Sequence, residues 1–145
     1  MRQDVGYYRK YQKGGRTLGH VARYLGKIDT NKGIGHQFEL IKDHDGEISK
    51  TLHHHLEQKL ITLKEAEALA EEAFQSFEAD DILVTDLRQH NFLVQDGGDL
   101  KKLWLVDGLG DHVAIPILNT LPAERRRKRA RRKASFFEGL RREWG

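Results

Sequence analysis

The stretch that most constrains this chain is residues 82–107, where three short apolar runs are separated by two polar loops. The runs are Ile82 to Val84, Phe92 to Val94 and Leu103 to Val106. Each is too short for a helix and rich in β-formers, so the pattern predicts strand, loop, strand, turn, strand. Asp96-Gly97-Gly98-Asp99 supplies the turn chemistry of a hairpin between the second and third runs. The first loop, Thr85-Asp86-Leu87-Arg88-Gln89-His90-Asn91, opens on an Asp and closes on an Asn; a second Asp, Asp107, ends the last run ahead of Gly108-Leu109-Gly110. Phosphoryl transfer needs such a set. An amide oxygen and a carboxylate are hard ligands for a phosphate-bridging cation, and a further carboxylate orients the attacking hydroxyl. Asn91 and Asp107 are therefore the candidate metal ligands and Asp86 the candidate catalytic residue. Gly108 and Gly110 would allow the backbone turns a metal loop requires. Taken singly, Asp86 reads as a loop cap and Asp107 as a turn residue; their conjunction in this order carries the specificity.

Around that segment the periodicities are plain. Thr62 with Glu65 forms a capping box, and Leu63, Ala66, Leu69, Ala70, Ala73, Phe74 and Phe77 keep to one helical face. Ahead of it, Ser49 or Thr51 caps a helix on which Leu52, Leu56 and Leu60 recur every fourth residue. Residues 20–43 read as a hairpin with a slightly long loop, Thr30-Asn31-Lys32-Gly33, between two half-apolar runs. Asp4 to Tyr11 reads as a short helical segment. Past the extended Ile115-Pro116-Ile117-Leu118, Pro122 starts a helix with Phe137, Leu140 and Trp144 on one face.

Composition narrows the function classes. With 38% hydrophobic residues in a chain of 145, one modest core forms and disorder is not expected. Cysteine is absent, which excludes disulfides and thiolate metal sites. No apolar run reaches about 18 residues and the first residues lack the signature of a secretion signal, so no membrane span is expected and the cytoplasm follows by elimination. Residues 124–145 hold ten Lys and Arg against three Glu, a local +7 that leaves about −4 on the rest of a chain of net +3. An acidic body thus carries a basic tail.

The order amphipathic helix, D-L-x-x-x-N, strand, turn, strand, D-G is that of a protein-kinase catalytic segment. The chain also resembles the PhoP regulatory network protein family YrbL. The residues that carry this resemblance are Tyr24-Leu25-Gly26, Asp29-Thr30, Phe38-Glu39-Leu40-Ile41, Asp43-His44-Asp45-Gly46-Glu47, Asp86 to Asn91, Asp107 to Gly110, Ile115 to Leu118 and the basic helix ending near Trp144. The resemblance implies a bacterial protein of kinase-like fold, tied to a two-component regulatory network. The expected fold class is α+β: a truncated kinase-like fold with a hairpin remnant of the N-lobe in residues 1–48, a mainly helical C-lobe-like region with the catalytic and metal loops in 49–123, and the basic helix in 124–145. Its departures are specific. No Gly-rich phosphate loop or V-A-x-K strand precedes residue 20, Gly33-Ile34-Gly35 is no substitute, and Val84-Thr85 stand where His-Arg usually precede the catalytic Asp. ATP and Mg²⁺ would then bind by metal ligation and by an adenine pocket near Glu39, Ile41 and Lys42. Low or no phosphotransferase turnover is expected.

Other clusters read more plainly. Adjacent helical residues point about 100° apart, so His53-His54-His55 cannot converge on one ion and reads as a solvated face. His44, His90 and His112 read as surface polar residues. Asp43, Asp45 and Glu47 fail the calcium-loop spacing. The run Arg125 to Lys133 fits either a helix packed on its own acidic body, the favoured reading, or a nucleic-acid surface, or a membrane-surface helix with anionic lipid. Three functions stay open: a regulatory pseudokinase-like module, an active small phosphotransferase, and a nucleic-acid-binding protein. A protein partner or a second copy of the chain is expected to cover the edge of the N-terminal hairpin.

Overall fold

In the computed structural model, residues 18–106 and 121–145 are described. The expected helical segment at Asp4 to Tyr11, the loop Asp107 to Gly110, His112 and the stretch Ile115 to Leu118 lie outside the described residues.

Local signals set the elements. The first hairpin pairs β1 (Tyr24–Thr30) with β2 (Gly33–Phe38) antiparallel, Thr30 opposite Gly33. Its loop is therefore Asn31-Lys32, two residues rather than the longer loop expected. Gly33 takes φ 111°, which closes the tight turn. The Thr30 side chain donates to the Gly33 carbonyl at 2.6 Å and accepts from Lys32 N at 3.2 Å. Leu40 and Ile41, expected on the second strand, fall past its end. Next, β3 (Lys50–Thr51) runs into α1 (Leu52–Glu57), capped by Thr51, whose hydroxyl accepts from His54 N. This helix ends before Leu60: Lys59 adopts φ 54°, and Leu60 is left exposed instead of continuing the apolar stripe.

The helix α2 (Leu63–Ala79) carries the full capping box, Glu65 N to Thr62 Oγ1 at 3.2 Å and Thr62 N to Glu65 Oε2 at 2.7 Å. It buries Ala66, Ala70, Ala73, Phe74 and Phe77. β4 (Phe92–Asp96) and β5 (Lys101–Leu105) form the expected hairpin, and the order of the second sheet is β3-β4-β5, all antiparallel. The chain just before β1 lies along the outer edge of β5: Leu105 N donates to His20 O at 2.7 Å and Ala22 N to Leu105 O at 2.9 Å. The helix α3 (Pro122–Trp144) has Pro at its start, as its sequence predicts. Phe136, Phe137 and Leu140 of α3 meet Phe74 and Phe77 of α2 and Phe92, Val94, Leu103 and Leu105 of the sheet in one core. Phe74, Phe92, Phe136 and Phe137 are packed ring against ring, with centroids 5.3 to 6.2 Å apart, in the tilted and edge-on arrangements that aromatic pairs favour. The first hairpin projects from this core and is exposed along most of both strands.

Ile82 to Val84 is not a strand. Its apolar side chains are buried and Val84 makes an isolated bridge, while two of its carbonyls are taken by α3: Arg129 Nε donates to Ile82 O at 3.0 Å and Arg132 Nη1 to Val84 O at 2.8 Å. Guanidinium groups satisfy acceptors that a sheet ladder would otherwise have to meet. Arg125 joins them, donating to the Asp81 carbonyl at 2.6 Å and its carboxylate at 3.2 Å. Arg129 to Asp81, Lys133 to Glu71 and Arg141 to Glu67 complete the docking of the basic helix on the acidic body. Burial alone would raise the Asp81 carboxyl, yet the hydrogen bonds from Arg129 and Arg125 outweigh it and hold the group below its ordinary value. Arg126, Arg127 and Arg131 remain exposed.

Candidate functional site

The loop from Thr85 to Asn91 crosses between α2 and β4, and its last three residues, Gln89–Asn91, make one 3₁₀ turn. A single turn is what a short connection needs to swing Asn91 inward at the mouth of β4. Asn91 is buried and held three ways: Nδ2 donates to Asp86 O at 3.2 Å, its N–H donates to Arg88 O at 2.9 Å, and its carbonyl accepts from Val106 N at 2.9 Å. With the nitrogen committed to Asp86, the acceptor oxygen is the end of the amide that a cation could use. Asp86 and Asn91 are thus brought together on one cross-braced loop. Asp107 lies outside the described residues; Val106, covalently before it, is the residue bonded to Asn91. Among the described residues no three His, Asp or Glu side chains gather as a metal cluster.

Asp86 itself is gripped. Arg88 Nε lies 2.9 and 3.0 Å from its two carboxylate oxygens and Arg88 Nη2 2.6 Å from Oδ2, a fork-on-fork pair. The Arg88 guanidinium, helped by Asn91, holds the Asp86 carboxyl below the usual carboxylate range. A group so stabilised as an anion orients and attracts well but accepts a proton poorly.

The residues expected to hold adenine are divided. Glu39 lines a cleft of about 210 Å³ with Leu18, Val21, Arg23 and Trp104. Its N–H donates to Arg23 O at 2.7 Å and its carboxylate accepts from Arg23 N at 3.3 Å. Ile41 is buried and its carbonyl accepts from Ser49 N at 3.1 Å, while the Lys42 carbonyl accepts from Gln95 Nε2 at 2.7 Å and the Lys42 side chain is exposed. Of the three, Glu39 lines this cleft, and several backbone groups of the stretch are engaged within the chain.

One sequence reading changes, and Asp43 gains a role. His53-His54-His55 is not a solvated face: His55 is buried with neither ring nitrogen hydrogen-bonded, and the His53 ring stacks on His90 at 4.3 Å between centroids. Asp43 is a structural staple, its Oδ1 accepting from Ser49 Oγ at 2.6 Å and from Asp96 N at 2.8 Å, which ties the turn at residues 43–47 to the end of β4. A cleft of about 690 Å³ was not foreseen as a unit. It lies between the loop at Leu87 to His90 and the last turns of α3, and its cations are Arg88, Arg132 and Arg142. No local pattern announces it, because its walls come from α1, the loop and α3.

The class this defines is a mixed α+β protein with a braced polar loop ahead of a core hairpin and a basic helix locked to both. The chain belongs to the family of the PhoP regulatory network protein YrbL, whose model matches residues 1–141. The family's name gives it a role in the PhoP regulatory network. No curated protein matches the chain. Among the described residues no helix is long and apolar enough to cross a membrane.

Proposed function

We propose that this chain is a kinase-like regulatory module that binds a magnesium–nucleotide weakly, through Asn91 and Asp107, and transfers phosphate slowly or not at all. The observation that carries the reading is the brace from Asn91 Nδ2 to the Asp86 carbonyl, with Val106 bonded to the far side of Asn91. It fixes an amide at the foot of one strand and ties it to the end of the next, which is where a cation held by Asn91 and Asp107 would need its ligands. A bound magnesium would supply charge neutralisation of the phosphates. Asp86 would orient a hydroxyl, and the grip of Arg88 on its carboxylate is the reason for slow turnover: lowering the basicity of the acceptor weakens general-base assistance.

Thermal unfolding with and without ATP and Mg²⁺ tests this. Ligand at about a hundred times Kd stabilises a fold by about 2.7 kcal/mol, a rise of several degrees for a chain of this size. The wild type is expected to show that rise and Asp107→Ala to lose it. An unmoved wild-type midpoint at millimolar nucleotide sinks the proposal. Steady ATP hydrolysis or transfer that Asp86→Asn abolishes would favour the active phosphotransferase instead.

A further inference from the structure

We propose that the cleft between the Leu87 to His90 loop and the C-terminal end of α3 is a binding site for a small phosphate monoester. Its volume, about 690 Å³, is that of a pocket for a small organic ligand. Three arginines line it, Arg88, Arg132 and Arg142, against one lining carboxylate, Glu143; Arg132 also donates to the Val84 carbonyl at 2.8 Å. Asp86 pairs with Arg88, so the three arginines against the two carboxylates of Asp86 and Glu143 sum to +1. The Arg142 side chain is exposed near the end of the helix and takes part in no ion pair among the described residues. Guanidinium forks match phosphate oxygens in geometry as well as charge.

His53, His90 and Phe136 give the lining rings. His53 stacks on His90 at 4.3 Å, and behind it Trp144 meets His53 edge-on at 5.3 Å, its indole N–H held by Gln89 Oε1 at 2.8 Å. Gln89 also donates to Glu143 at 2.8 Å, which turns that carboxylate toward the loop. The ligand that suits cations on one side and ring faces on the other is a phosphate carried on an aromatic or similarly planar group.

Gly139 gives the second, independent observation. Glycine is the least favourable residue of a helix interior after proline, yet a Cβ built at Gly139 would meet nothing within 4 Å. Packing does not require a glycine there, and a large side chain at that position would project into the cleft. The same site is lined by Ser135 one turn earlier.

Titration with inorganic phosphate and with phenyl phosphate, at fixed ionic strength and without magnesium, tests the site independently of the nucleotide reading. Imidazole ¹⁵N resonances of His53 and His90 are expected to move with either probe, and phenyl phosphate to bind more tightly than phosphate. Arg142→Gln should weaken phenyl phosphate about tenfold, the loss of one charge-assisted contact. Gly139→Leu should abolish its binding while the melting temperature holds or rises, because the change fills space and improves helix propensity. Arg126→Gln removes the same charge elsewhere on the helix and should change nothing. Unmoved histidine resonances, undiminished binding to Gly139→Leu, or equal weakening by Arg126→Gln would overturn the assignment.

Discussion

At the scale of single residues, the two buried histidines set how this protein responds to acid. His55 is 6% exposed with both ring nitrogens lacking a hydrogen-bond partner, and burial lowers its pKa, with His54 adding to the effect. His20 is also lowered by burial, against the opposing pull of its contact with the Leu103 carbonyl at 2.7 Å. In both, the unfolded chain binds a proton more readily than the fold does, so stability is intact above the ordinary histidine pKa and falls as pH drops through about 6.5. Denaturant midpoints measured from pH 8 to pH 5 should therefore decline, and His55→Leu should flatten the decline. The same substitution should not destabilise at pH 8, since it replaces an unsatisfied buried polar group with an apolar side chain of similar volume. A profile unchanged by His55→Leu would show that this imidazole is not what acid attacks. Nothing in the triplet His53-His54-His55 predicts which ring is buried, because that depends on how α1 docks and not on the triplet itself.

At the scale of elements, legibility followed range. The capping box of α2, the Pro start of α3 and the Asp96 to Asp99 turn were readable because each is decided within a few residues. Thr62→Ala should accordingly cost about 1 kcal/mol in urea unfolding, the usual value of a helix cap, and a loss within a few tenths would argue that the box contributes nothing. Ile82 to Val84 was misread because its hydrogen-bond partners sit 47 and 48 residues away, on arginines that the sequence presents as a basic run. The same distance hid the 690 Å³ cleft, whose walls meet only after α3 docks. The pair Asp86 and Asn91 was legible as a spacing, but the clamp of Arg88 on Asp86 was not, since an Arg two residues on is as readily solvated as paired. Of the basic helix, Arg125 is the most consequential: it is 7% exposed and holds both the carbonyl and the carboxylate of Asp81. Arg125→Met should cost about 1 to 3 kcal/mol, the penalty of a carbonyl left without its donor. A change within about 0.5 kcal/mol, the ordinary range for surface sites, would mean that Arg125 contributes nothing to holding the helix.

At the scale of the whole molecule, stability is unevenly distributed. The second sheet is sealed between α2 and α3, with Phe92, Val94, Leu103 and Leu105 fully buried. Among the described residues the first hairpin is joined by its cross-strand bonds and meets the core at Tyr24 and Phe38, whose rings lie 5.4 Å apart. Leu25, Ile28 and Ile34 on it are exposed, and its glycines at 26 and 33 add backbone freedom to the unfolded state. A two-stranded ribbon of this kind is marginal by itself, so it should open without the rest of the fold. Native-state hydrogen exchange is expected to show the amides of Lys27 to Gln37 exchanging far faster than those of Phe92 to Asp96 and Lys101 to Leu105, with a rate independent of protein concentration. The sequence reading had a partner or a second copy covering this hairpin's edge. Covering would show as protection of β1 and β2 that approaches that of β4 and β5 and grows with concentration, because an added strand satisfies the outward amides and hides Leu25 and Ile34. Slow exchange in the hairpin of a dilute monomer would contradict both accounts and would require a contact from within the chain.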